Sequence, residues 1–574
     1  MTRRLAAWAL PAVALALLLG WLARQALPQP ADPPPAAASA ASGPGVAPST
    51  GATVGSSTVA AEARSRLPCL SYAPFRRPGH TPFDADLRVS PAQIEEDLRL
   101  LATVTGCVRT YGVSQGLEAV PMIARRVGLR VLLGAWIGSN TADDDRELDR
   151  AIALAREHAD VVDLLLVGNE VLLRGERSPA SLVALIDRAR REQPVPVAYA
   201  DVWAYWLRHA DALRGHVDVA AVHVLPYWDD EPVAIEAAVD HVAQTLAMMR
   251  VALAPLPVFI AETGWPAAGR QRGPAAPGTL AQNQLVRGLL QARIDWGWQP
   301  GWNLIEGFDQ PWKRALEGAM GGYWGVFTAP GERRVRAEGP VVPDPAARWG
   351  LLAALIGALV GALCARPLGA ARGPLALAGA LVGALAQQQV AALALWSLGP
   401  GQWLLGAMLA APALGCAALA ALRLAGAGSG LATRAAANGP DLAMAARLDH
   451  AIARWLARAH ALTLLAALLL VLQLLVDGRY RPLLWPMFGV PAVLLPALWL
   501  ADGLLPRGPG APGGRTPPAP GERLSRVLAA ALAVAAVALL WREGLVNQQA
   551  WLVTLACLGL ALPAAQGAGR QTTS

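Results

Sequence analysis

Lysine is almost missing from this chain. Of 49 basic residues only Lys313 is a lysine, and phenylalanine is scarce as well, with six in 574 residues. Alanine, glycine, proline and arginine are abundant, as when GC-rich codons put arginine wherever charge alone matters. A lysine that survives such a bias marks a place where a compact ammonium is needed, or an accident of composition. The five cysteines show no zinc-type spacing, and neither a Walker nor a Rossmann glycine motif occurs, so no metal and no cofactor is expected. Charged residues make up only 16%, and the net charge of +7 comes from arginines in short loops between apolar runs. That is a membrane-topology pattern, and no nucleic-acid partner is expected. A 54% apolar share and a mean hydropathy of +0.36 are too high for a wholly soluble protein, and the length exceeds one domain.

Apolar runs organise the two ends of the chain. Met1 to Ala26 places Arg3 and Arg4 before a run from Leu5 to Leu22 and reads as a signal anchor, with a cleaved signal peptide as the alternative. Residues 27–63, rich in Pro, Ala and Ser, read as a disordered linker. From residue 349 apolar spans run near 350–364, 374–396, 403–422, 460–476, 483–504, 527–541 and 549–564, giving an all-α multi-span transmembrane domain of about seven helices. With Met1 inside, Arg366, Arg372, Arg423, Arg434, Arg447, Arg454, Arg458, Arg507, Arg515, Arg523, Arg526 and Arg570 fall inside. Only Arg479, Arg481 and Arg542 fall outside, as the positive-inside rule requires. Gln387 to Gln389 lies within a span, as an interhelix hydrogen-bonding group or a polar passage.

Between the two, residues 64–348 alternate strand and helix. Strands are expected at 70–73, 108–111, 131–136, 164–169, 197–201, 220–225, 258–262 and 302–306. Helices are expected at 90–101, 143–158, 179–191, 232–250 and 278–294. Ser90 with Pro91 has the form of an N-cap followed by proline at the first helical position. Eight repeats in this length predict an α/β fold, a (β/α)8 TIM barrel. Two strands end on acids. Val162 to Val167 runs into Gly168-Asn169-Glu170, and Val258 to Ala261 into Glu262-Thr263-Gly264-Trp265-Pro266. The carboxyl ends of barrel strands carry the active site, and a pair of carboxylates is what glycoside hydrolysis needs. Other strand ends carry Tyr72, Arg109, Tyr111, His223, Tyr227, Glu306, Asp309 and Lys313, followed by Glu317 and Trp324. Aromatics among acids and amides fit a carbohydrate cleft; Trp312 and Trp324 also suit a buried cap over the barrel. Cys69 and Cys107 are placed where a disulfide is possible in an oxidising compartment, and where neighbouring strands bring thiols close without bonding.

VGNEV (167–171) together with AETGWP (261–266) resembles glycoside hydrolase family 17, the β-1,3-glucanases and β-1,3-glucan transglycosylases. FDQPWK (308–313) resembles the family's bacterial, membrane-associated branch. The resemblance covers Leu70 to Arg348, about half the chain. It implies Glu262 as nucleophile and Glu170 as acid/base, the latter with a raised pKa, and Asn169 bonding the sugar 2-hydroxyl. Tyr72, Arg109, Tyr111, His223, Tyr227, Trp265, Glu306, Asp309, Lys313, Glu317 and Trp324 are expected to contact substrate. Lys313 is placed near Glu306, Asp309 and Glu317, where its ammonium would bind a hydroxyl and keep the acids ionised. The expected partners are a β-glucan, the bilayer and a membrane glucan synthase. The expected setting is a bacterial inner membrane with the barrel in the periplasm. Glucan remodelling or branching is expected; plain hydrolysis and a catalytically silent glucan-binding scaffold are the alternatives.

Overall fold

The computed structural model describes residues 7–32, 66–292, 294, 298, 301–365, 371–425, 442–504 and 520–565. Most of the expected linker, and Arg366, Arg434, Arg507, Arg515 and Arg570, lie outside them. Helix α1 (Ala9–Ala26) comes first. Eight strands follow with their intervening helices: β1 (Cys69–Ser71), α2 (Pro91–Ala102), β2 (Cys107–Arg109), α3 (Val120–Val127), β3 (Arg130–Ala135), α4 (Thr141–Glu157), β4 (Val162–Asn169), α5 (Pro179–Glu192), β5 (Val197–Val202), α6 (Trp203–Arg208), α7 (Ala210–Leu213), β6 (Val219–His223), α8 (Ala238–Leu253), β7 (Val258–Thr263), α9 (Thr279–Gln291), β8 (Trp302–Leu304) and α10 (Arg314–Glu317). All neighbours pair in parallel and β1 closes on β8, so the sheet is a closed barrel in chain order. The strands stand where expected within a few residues. The short helices α3, α6, α7 and α10 were not expected; four to eight residues are too few to show a helical period.

Local sequence accounts for the elements. Ser90 Oγ accepts from Gln93 N, Pro91 opens α2, and Ile94, Asp97, Leu98 and Leu101 form its buried stripe. Leu132, Leu164, Leu166, Ala198 and Phe259 fill the barrel interior. Cys69 and Cys107 are joined by a disulfide between β1 and β2. Gln29 and Val341 exchange backbone hydrogen bonds of 2.8 Å, so the start of the expected free linker is paired, and Gln29–Val341 forms one compact unit. The expected boundaries, at 64 and 348, left this pairing out.

The second unit holds the residues up to Pro28 and those from Val342. Seven helices follow the barrel here among the described residues: α11 (Ala347–Ala365), α12 (Arg372–Trp396), α13 (Pro400–Leu424), α14 (Leu442–Val476), α15 (Gly489–Leu504), α16 (Pro520–Glu543) and α17 (Gln548–Ala565). Five of them, with α1, are long and apolar enough to cross a membrane; the apolar stretches 489–501 and 548–564 are shorter. Helices α11 and α12 meet backbone to backbone. A Cβ on Gly357 would fall 2.1 Å from Gly379 O, and one on Gly379 equally close to Gly357 O, so only glycine allows the approach. Gln389 Nε2 donates to Pro486 O and Met487 O at 3.0 and 3.1 Å, the hydrogen-bonding role expected for one of the three glutamines.

Candidate active site

The site is built at the carboxyl ends of β2, β4, β6 and β7. The β4–β5 register shifts between Leu166 and Asn169, and Gly168 takes a φ of +86°. The turn brings Glu170 to a φ of +55°, a left-handed conformation that a side chain rarely adopts and that costs about 1–3 kcal/mol. Its N–H is held by Ala200 O at 2.8 Å. A second shift, between Val222 and His223, sets His223 of β6 opposite Glu262 of β7.

Arg109 crosses the top of the barrel from β2. Its Nη1 donates to Ala261 O (2.7 Å) and Glu262 Oε1 (2.9 Å), and its Nη2 to Asn169 Oδ1 (2.6 Å). Tyr111 donates a second hydrogen bond to Glu262 Oε1, at 2.8 Å. Burial, and next the charge of Glu262, push the Tyr111 phenol well above its usual pKa, so it stays a donor. Among the described residues Glu262 Oε2 receives no hydrogen bond. His223 links the two acids. Its Nδ1 lies 2.9 Å from Glu170 Oε1, and its Nε2, buried without a hydrogen-bond partner, lies 3.6 Å from Glu262 Oε1. One oxygen of Glu170, one of Glu262 and a nitrogen of His223 all lie within 4.8 Å of one another. The Glu170 side chain is 26% exposed and that of Glu262 5%. Glu170 is thus the more open of the two acids and Glu262 the more enclosed.

Residues 69–325 match the family model of the BtgE/BtgC glycoside hydrolase domain. The matched segment runs from β1 to beyond β8 and so takes in the whole barrel sheet. Over 266 residues the chain is 25% identical to "Probable beta-glucosidase btgE" of Aspergillus fumigatus, covering 45% of this chain and 44% of that protein. It is 28% identical over 190 residues to the protein of the same name from Aspergillus flavus, covering 32% and 31%. The chain thus spans less than half the length of these curated relatives. Among solved structures it is similar to the glycoside hydrolase family 17 β-1,3-glucanosyltransferase of Rhizomucor miehei, with a TM-score of 0.40 and 25% identity over 47% of this chain and 97% of that one. An active-site mutant of the Rhizomucor miehei β-1,3-glucanosyltransferase in complex with laminaritriose gives a TM-score of 0.41 and 24% identity over 48% and 98%.

Several expectations for the barrel need correction. Glu170 was expected with a raised pKa. Burial does push it up, but the hydrogen bond and charge of His223, with Arg174 and Arg109, outweigh burial and hold the carboxyl below its ordinary value. Tyr72 faces away from the barrel axis, and its hydroxyl donates to Asp97 at 3.0 Å, beneath α2. Asp309 is not beside Lys313; it takes Arg334 Nη1 and Gly325 N at 2.8 and 2.9 Å and pins the segment after β8. The rings of Tyr227, Trp265 and Trp324, expected to lie open to a sugar, are buried edge to face, with centroids 5.8 and 6.0 Å from Tyr227. Tyr227 donates to Arg270 O, and Trp265 Nε1 to Ala276 O at 3.0 Å.

Lys313 does stand beside Glu306, as expected. Its Nζ lies 2.9 and 3.0 Å from the two carboxylate oxygens. Burial nevertheless pushes Glu306 up to about 7 against that ammonium, so the acid is not held fully ionised as expected. Glu317 is also pushed up, by burial first, with Lys313 opposing.

Other residues of the site were not singled out from sequence. Ser71 Oγ accepts from Asn303 Nδ2 (2.8 Å) and donates to the Tyr111 hydroxyl oxygen (2.9 Å), whose single proton goes to Glu262, so it braces the phenol that holds Glu262. Asp201 receives the Tyr199 hydroxyl and Leu173 N, tying down the turn after Glu170. It is an acid at a strand end, the same signal that marked Glu170 and Glu262. Glu170, His223 and Glu262 also have the donor types of a metal site. Arg109 already occupies Glu262 Oε1, and a guanidinium there opposes a second cation.

Proposed function

We propose that this chain is a retaining glycosidase acting on β-1,3-glucan through a glycosyl-enzyme on Glu262, and that it passes the glucosyl chain to a glucan acceptor. The observation that carries the reading is the separation of the two acids. Oxygens within 4.8 Å suit carboxyl groups about 5–5.5 Å apart, as in retaining enzymes, and leave no space for the water that an inverting pair about 6.5–9.5 Å apart must hold. The curated relatives named as β-glucosidases support a β-glucosidic substrate.

In the first step Glu262 Oε2 attacks the anomeric carbon while the glycosidic C–O bond breaks. Glu170 gives its proton to the departing oxygen. In the second step an acceptor hydroxyl attacks the same carbon, its proton passes to Glu170, and the bond to Glu262 breaks. Arg109 and Tyr111 aim Glu262 and stabilise it as leaving group. Arg109 has only donors, so Asn169 must turn Oδ1 towards it, and Nδ2 is left to bond a sugar hydroxyl. Glu170, held low by His223 and the two arginines, must take up a proton from solvent as substrate binding excludes water around it and raises its pKa.

Water competes with the glucan hydroxyl for the intermediate. Transfer is favoured because a barrel carried on several apolar helices suits remodelling or branching beside a membrane glucan synthase better than free degradation. The setting we infer is the outer side of a bacterial inner membrane. The arginine distribution supports it, and so does the Cys69–Cys107 disulfide, since such bonds persist in oxidising compartments.

The deciding experiment uses the full chain in detergent with laminari-oligosaccharides. Glu262→Gln and Glu170→Gln should each lower turnover by roughly 10³-fold or more with the fold retained. Azide added to Glu262→Ala should give the α-glycosyl azide, and added to Glu170→Ala the β-anomer. Wild-type turnover in either glutamine variant, or one anomer from both alanine variants, refutes the assignment.

A further inference from the structure

Side chains along β3 alternate between the barrel interior and its outer layer. Leu132 points inward. Gly134 is the next inward position, and a Cβ there would lie 2.3 Å from Thr110 O and 2.7 Å from Tyr111 Cα, so that level is already filled. The next is Trp136, one residue beyond the carboxyl end of β3, over the barrel mouth. Its side chain is not packed away like Trp206, Trp265 and Trp302; it is 43% exposed.

The ring is nonetheless held. The Arg174 guanidinium lies 4.4 Å from its centroid. Arg174 is fixed by Ile137 O (2.8 Å), Glu176 Oε2 (2.9 Å from Nε) and the carbonyl of Asn169. One face of the indole is thus backed by a pinned cation. Among the described residues no other ring or cation covers the opposite face. A backed indole with one open face is the partner that the apolar C–H face of a glucosyl ring requires.

Position decides which ring. In an eight-stranded barrel in chain order β3 stands opposite β7, which carries Glu262. The sugar that becomes bonded to Glu262 lies over β7. Glu170, on β4, reaches the glycosidic oxygen, and the leaving sugar lies beyond it. Arg174 binds the carbonyl of Asn169, the neighbour of Glu170, so Trp136 sits on the acid/base side, away from the nucleophile. We propose that Trp136, backed by Arg174, is the platform for the leaving-group and acceptor glucosyl ring, and so sets the preference for a glucan over a small leaving group. This rests on the reading of the barrel as a retaining β-glucan enzyme.

The test compares two donors on the full chain in detergent. Laminaritetraose places glucosyl units beyond the scissile bond; β-laminaribiosyl fluoride places a single atom there. In Trp136→Ala the ratio of kcat/KM for laminaritetraose to that for the fluoride should fall roughly tenfold, the scale of one lost aromatic stacking contact. Trp136→Phe should keep most of the ratio. The ratio is internal to whatever enzyme is folded, so a lower yield of active protein does not imitate the effect. A ratio equal to wild type in Trp136→Ala, an equal fall on both donors included, overturns the proposal. Fluoride leaves without the proton of Glu170, so a damaged Glu170 would also lower this ratio. The glycosyl-enzyme formed from the fluoride is therefore partitioned between water and added laminaribiose, two routes that both need Glu170 as base. Trp136→Ala should lower transfer relative to hydrolysis, and a wild-type partition would make Trp136 a support for Glu170 and overturn the proposal. Wild-type protein that turns over neither donor would instead refute the underlying functional reading.

Discussion

Replacing Lys313 by methionine should make the protein progressively less stable, relative to wild type, as pH rises. In wild type Glu306 is buried and titrates near 7, against an ordinary value of 4.5. Burial is the main cause; Glu317 and Glu262 push the same way and Lys313 opposes. A folded-state pKa raised above the unfolded one gives stability that is complete below about 4.5 and is lost as pH climbs to 7. The size is roughly 3 kcal/mol. Above 7 the wild-type curve levels off, because Glu306 then ionises against the ammonium 2.9 Å away. Methionine removes that partner, so Glu306 holds its proton well above 7. Each further pH unit then costs the variant about 1.4 kcal/mol relative to wild type. From pH 7 to pH 9 the gap should widen by up to roughly 2.5 kcal/mol, and Glu317, also opposed by Lys313, adds with the same sign. Thermal unfolding of the full chain, followed by tryptophan fluorescence at pH 6, 7.5 and 9, reads the effect as a growing difference in Tm. In a Glu306→Gln background the growth should largely vanish. A gap that is constant, or that narrows with pH, would refute this account of the pair.

Gly168→Ala should cut kcat/KM by roughly 10- to 100-fold in a laminari-oligosaccharide assay, because the added Cβ meets Val171 Cγ2 at 2.7 Å at a φ of +86° and displaces Glu170; wild-type kinetics would show that the turn tolerates the change. Reporter fusions after Arg348 and after Pro440 should read outside and inside respectively, and a cytoplasmic signal after Arg348 would overturn both the topology and the glucan assignment.

Much of the fold was legible because it depends on local pattern. Buried parallel strands read as apolar runs, α2 announced itself by Ser90 and Pro91, and the two strand-end acids follow from where Val167 and Ala261 stop. The apolar helices are visible because crossing a bilayer demands length and composition alone. Residue type and position along a strand can therefore be read without contacts.

What tertiary structure decided is direction and environment. Tyr72 and Ser71 are neighbours in sequence, yet Ser71 braces the active site and Tyr72 bonds Asp97 on the far side of the sheet, because successive side chains of a strand face opposite ways. Trp265 and Trp136 look alike as strand-end tryptophans, but the first is packed against Tyr227 and the second lies open against Arg174. Glu170 is half-buried and Glu306 fully buried, and each has a cationic partner or donor. His223 and two arginines bring one below its ordinary pKa, while burial drives the other to about 7 despite Lys313. A pKa is a balance of desolvation against neighbours from distant parts of the chain, and only the folded barrel sets the distances that strike it.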